Sequence, residues 1–108
     1  MQVVFHVVAR PSLRVSLREL IIADLQKWEF NLEIESEKKI GRLGGWAKIK
    51  SQDLPGVINI AWHAGSKTLI ARAIAKLENT PSELIGRFVS YLLTHRRRDV
   101  RAINIHSS

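Results

Sequence analysis

Val57-Ile58-Asn59-Ile60-Ala61-Trp62-His63, followed by Ala64-Gly65-Ser66-Lys67 and then Thr68-Leu69-Ile70-Ala71-Arg72-Ala73-Ile74-Ala75-Lys76-Leu77, is the stretch on which the fold turns. Its first part is plain, because Ile58, Ile60 and Trp62 recur with the period of two that marks a strand face. Its last part reads two ways. Leu69, Ile70, Ala73, Ile74 and Leu77 form a helical stripe, whereas Leu69, Ala71, Ala73, Ala75 and Leu77 form a strand face. Alanine content favours the helix. A tight Ala64-Gly65 turn favours a hairpin instead, with Leu69 opposite Ile60, Ala71 opposite Ile58, and His63, Arg72 and Lys76 outside. The strand reading is adopted, and it extends a run of antiparallel strands that begins upstream.

That run starts after Trp28. Phe30, Leu32 and Ile34 alternate with Asn31, Glu33 and Glu35, and Glu37 continues the acidic face. Lys38-Lys39-Ile40-Gly41-Arg42-Leu43-Gly44-Gly45 combines cations with glycines and reads as a loop between strands. Trp46 to Lys50 alternates again, so antiparallel pairing with the Glu33 strand puts Lys48 and Lys50 near the glutamates. Asp53-Leu54-Pro55-Gly56 is a turn signal.

The ends supply the remaining elements. Gln2 to Ala9 is a valine-rich apolar run, short enough for a buried central strand. Ser16-Leu17-Arg18-Glu19 has the form of a capping box. The helix it opens carries an apolar stripe of Leu17, Leu20, Ile21, Leu25 and Trp28, with Arg18, Asp24 and Lys27 off the stripe, and ends near Trp28. Thr80-Pro81-Ser82-Glu83 joins a threonine cap to proline at the first helical position and glutamate at the third. Leu84, Ile85, Phe88, Val89, Leu92 and Leu93 form that second helix's core stripe. Val100 to His106 closes the chain as a strand, with Val100, Ala102 and Asn104 facing away from Arg101, Ile103 and Ile105.

The expected architecture is therefore α+β: a split βαβ, ferredoxin-like plan with a mixed or antiparallel sheet of four to six strands and two main helices packed on one face. The 108 residues suit a single globular domain spanning positions 1–108. No apolar run approaches the roughly 20 residues of a membrane helix. The absence of cysteine removes disulfides, thiolate nucleophiles and cysteine-based metal sites, and a cytoplasmic setting is the expectation.

Charge carries the functional expectation. Seventeen Lys and Arg against ten Asp and Glu leave a net +7, which favours polyanionic partners. The candidate contacts are Arg87, Tyr91, Arg96, Arg97, Arg98 and Arg101 around the second helix, with Lys38, Lys39 and Arg42 as a second group. Guanidiniums bind phosphate bidentately, and an exposed tyrosine ring offers a base a stacking surface. The macrodipole also draws cations to a helix C-terminus, so Arg96, Arg97 and Arg98 have a structural reading as well. Trp46 shares its parity with Lys48 and Lys50 on the wetter strand face, where it would stack a base or enter a subunit interface.

Nucleic acid or another polyanion is the expected partner, without catalysis. The alternative is a protein-interaction or structural subunit, a homodimer among the options, that buries Trp46, Ile70 and Ile74. Gly65-Ser66-Lys67-Thr68 lacks the earlier glycine of a P-loop and splits its glycine-lysine pair. His6, His63, His95 and His106 are scattered, and pairing with lysine is the simpler reading of Glu33, Glu35 and Glu37, so no metal or cofactor is expected.

Overall fold

The computed structural model describes residues 2–27, 30–41, 44–75 and 80–106. In chain order these form β1 (Gln2–Ala9), α1 (Leu17–Lys27), β2 (Leu32–Ile40), β3 (Gly44–Ser51), β4 (Val57–His63), β5 (Thr68–Ile74), α2 (Thr80–His95) and β6 (Val100–His106). The strands make one sheet in the order β2-β3-β4-β5-β1-β6, and every neighbouring pair is antiparallel. The fold is α+β. β5 and β6 flank β1, both antiparallel to it, and α2 connects them in the chain. No helix among the described residues is long and apolar enough to cross a membrane.

Thr68–Ile74 is a strand because it has neighbours on both sides. It bonds to β4 and to β1, and Leu69, Ala71 and Ala73 are all buried while α2 packs against them. Alanine's small side chain allows that close approach, so packing overrides its helical preference. The register differs from the tight-turn expectation by two residues: Ile60 faces Ala71 and Trp62 faces Leu69. The turn takes four residues, 64–67, closed by the Lys67 amide donating to the Ala64 carbonyl at 3.3 Å, with Lys67 at φ 48°.

Two irregularities redirect side chains. Between Ile34 and Ser36 the register of β2 against β3 shifts, so Glu33 opposes Lys50 whereas Glu37 opposes Ala47. The three glutamates therefore do not share a face. Lys50 Nζ lies 3.4 Å from Glu33, as expected, but Lys48 faces Ser36. A second shift at Val8/Ala9 puts both Val100 and Ile103 on the face of Ala9 and Val7, correcting the simple alternation expected for β6. Lys38, Lys39 and Ile40 are strand residues rather than loop, since they pair with Trp46, Gly45 and Gly44.

Burial follows one parity along β1, β3, β4 and β5. Phe5, Val7 and Ala9, Ala47 and Ile49, Ile58, Ile60 and Trp62, and Leu69, Ala71 and Ala73 are buried with Leu17, Ile21 and Leu25 of α1 and Leu84, Phe88 and Leu92 of α2. Helix α1 packs on β2, β3 and β4, and α2 on β5, β1 and β4. The Phe5 and Phe88 rings meet edge to face at 5.8 Å. Ser16 Oγ accepts the Glu19 amide at 3.4 Å, so the serine half of the capping box forms. Leu93, expected in the α2 stripe, is instead 51% exposed. The Thr80 cap side chain and Trp28 lie outside the described residues.

Candidate nucleic-acid interface

The expected contacts divide sharply. Three of them are already engaged within the molecule. Arg87 donates to Ser51 Oγ at 2.6 Å and to both carboxylate oxygens of Asp53, which Ser51 also bonds at 2.9 Å. The carboxylate raises the Arg87 pKa, and the guanidinium, then Ser51, lower that of Asp53. Tyr91 is buried, contrary to its expected exposure, because its hydroxyl donates to Asp24 Oδ2 at 2.5 Å. Arg96 grips the same carboxylate bidentately at 2.7 Å through Nε and Nη2, and bonds Asp99 at 3.2 Å.

Asp24 is the hub of this cluster. Burial alone raises a carboxyl pKa, yet the hydrogen bonds from Arg96 and Tyr91 outweigh it and hold Asp24 below the usual carboxylate value. The Tyr91 hydroxyl moves well upward, first from burial and then from its bond to Asp24. The ring of Phe30 lies 4.9 Å from that of Tyr91 and 4.3 Å from that of His95, which completes an aromatic wall rather than a free stacking face.

Arg18 plays a similar part at the start of α1. Although it lies off the apolar stripe in sequence, it is 1% exposed, donating to the Trp46 carbonyl at 2.9 Å, to Glu19 at 2.7 Å and to Glu37. Gly45 makes room for it. A Cβ there would sit 2.9 Å from the Arg18 guanidinium carbon and 2.6 Å from the Lys38 carbonyl, and Gly45 has φ 141°, which strains any other residue.

Arg97, Arg98 and Arg101 are exposed and have no ion-pair partner among the described residues. Lys38 and Lys39 are also exposed, but on β2 at the opposite edge of the sheet. Arg42 lies outside the described residues. The structure thus brings Arg97, Arg98 and Arg101 together near the α2–β6 junction and separates them from Lys38 and Lys39.

A different set converges on the strand residues of the other parity. Register aligns Lys38, Trp46, Ala61, Ile70 and His6 in one row across five strands, and Ser36, Lys48, Asn59, Arg72 and Val4 in the next. Trp46 is 39% exposed, and the small Ala61 beside it leaves space against the ring. A groove of about 380 Å³ results, lined by Trp46, Asn59, Ile60, Ala61, Ile70 and Arg72. Lys38, Lys48 and Arg72 have no ion-pair partner among the described residues. The strand pairings put no carboxylate in these two rows among the described residues, and Glu33, in the row beyond Lys48, is held by Lys50.

Of this set the sequence singles out Lys38 and Trp46, and not Arg72, Lys48 or Asn59, as contacts. Parity alone would have gathered them, because each sits two or more residues from its same-face neighbour on an alternating strand. Asp24 and Arg18 carried no such signal. Among the described residues no group of three or more His, Asp or Glu is placed to hold a metal ion. No family model matches the chain, and neither a curated protein nor a solved structure is recognisably similar to it.

Proposed function

We propose that this protein binds single-stranded nucleic acid across the exposed rows of its sheet, with Trp46 stacking a base and Lys38, Lys48 and Arg72 holding phosphates. The observation that carries the reading is the register: an exposed tryptophan lies beside three cations that no carboxylate engages among the described residues, over a groove of about 380 Å³. Base stacking on an aromatic side chain is tolerant of sequence, and unpaired cations release counterions when they meet phosphate. Asn59 and Arg72 in the groove wall add hydrogen-bond capacity toward a base edge. A duplex hides its base faces, so a tryptophan platform selects the single strand.

The finer architecture belongs to this reading. We infer a split βαβ plan with both helices over one face, since Phe5, Ala71, Ile60, Ala47 and Glu37 form one cross-sheet row. Phe88 of α2 meets the Phe5 end of that row and Arg18 of α1 meets the Glu37 end. With the helices there, the row of Trp46 and the row of Lys48 and Arg72 beside it remain open. The lack of cysteine accords with a reducing, cytoplasmic setting.

Fluorescence anisotropy with a labelled mixed-sequence strand of about ten nucleotides, within the site sizes typical of such platforms, tests the reading. Single-stranded RNA or DNA binds with micromolar or tighter affinity that falls steeply with salt, and the matching duplex binds more weakly. Equal binding of strand and duplex contradicts a stacking platform. A stable dimer in sedimentation, with no oligonucleotide binding at physiological salt, assigns Trp46, Ile70 and Ile74 to a protein interface instead.

A further inference from the structure

We propose that the free edge of β6 is a docking site for an extended acidic segment of a partner protein, which adds to the sheet as a further strand. The two edges of the sheet differ in a way that points there. β2, at one edge, carries Glu33, Glu35, Glu37, Lys38 and Lys39, the kind of charge that discourages strand addition. β6, at the other edge, reads Val100-Arg101-Ala102-Ile103-Asn104-Ile105-His106 and, among the described residues, pairs only with β1. Its outer backbone groups are therefore open to a further strand.

Beside that edge runs a groove of about 460 Å³ between α2 and β6, floored by Val89, Leu93, Val100, Ile103 and Ile105. Leu93 and Ile105 are 51% and 57% exposed, so the apolar surface is presented and not merely underlying. Arg10, Arg97 and Arg101 line the same groove, and none of them has an ion-pair partner among the described residues. An apolar floor with a basic rim fits a strand that alternates apolar and acidic residues. The same rim disfavours a second copy of this +7 chain, which would set arginine against arginine.

The test uses a blocked peptide alternating leucine with glutamate and its leucine–lysine counterpart, followed by backbone hydrogen exchange and amide shifts of the intact protein. The glutamate peptide slows exchange at the β6 amides that do not bond to β1, and the lysine peptide binds about tenfold more weakly or not at all. The double variant Arg97→Glu with Arg101→Glu reverses that preference. The proposal is overturned if saturating glutamate peptide leaves the β6 amides unprotected, if both peptides bind alike, if shifts concentrate around Trp46, or if sedimentation shows a dimer whose formation protects β6.

Discussion

Arg18, Arg87 and Arg96 each hold one or more carboxylates beside the helices, whereas Lys38, in the row of Trp46, and Lys48 and Arg72, in the row next to it, hold none among the described residues. The difference is one of partners, not of charge. A guanidinium already gripping Asp24 is desolvated and geometrically spent, and withdrawing it for phosphate exposes a buried carboxylate. A bare lysine on a strand has only water and counterions to exchange. Cation density and cation availability therefore differ in this molecule, and the proposed site follows from cations that lack carboxylate partners among the described residues and lie beside an exposed aromatic.

Each side of that comparison can be broken separately. The largest effect belongs to the buried network: Asp24→Ala takes from Tyr91 its carboxylate acceptor, leaves Arg96 only Asp99, and costs about 3–5 kcal/mol in denaturant unfolding. Nucleic-acid affinity per folded molecule stays unchanged. The same carboxylate sets an acid limit. Because its folded pKa lies below the ordinary 3.8, its contribution is fully present above that value and is lost as pH falls through the lowered pKa. The Asp24→Ala protein shows a correspondingly flatter acid limb in unfolding free energy.

Next comes the sheet face. The triple variant Lys38→Glu, Lys48→Glu and Arg72→Glu weakens single-strand binding roughly a hundredfold and lowers the log–log salt slope by about 2. Stability moves by no more than about 0.5 kcal/mol, because these side chains lack ion-pair partners among the described residues. Trp46→Ala costs about 1–3 kcal/mol of binding, and Trp46→Phe recovers much of it, since a ring of either kind stacks. The smallest effect is expected where the sequence is most basic. Changing Arg97 and Arg98 to alanine alters affinity by no more than about threefold at physiological salt, where the Debye length is about 8 Å.

The fold was largely legible because its signals are local. Period-two alternation located β3 and β4, and Thr80-Pro81-Ser82-Glu83 marked the start of α2. Two features escaped for a physical reason: the shifts at Ile34/Ser36 and Val8/Ala9 depend on the partner strand and leave no mark in the bulged strand's own composition. The site was legible only in part. Trp46 stood out by parity, but Asp24 and Tyr91 are 67 residues apart, and nothing local announces that a helical aspartate will bury against a tyrosine and an arginine. Tyr91 and Arg96 looked free for that reason alone.

The central claim is tested most directly by titrating isotopically labelled protein with a mixed-sequence single strand of about ten nucleotides at physiological salt, mapping amide and tryptophan indole shifts. The account predicts that the Trp46 indole and the amides of Lys48, Asn59, Ala61 and Arg72 move, with those of Arg87, Tyr91 and Arg96 unmoved. Shifts confined to Arg97, Arg98 and Arg101, or none at all, would contradict it.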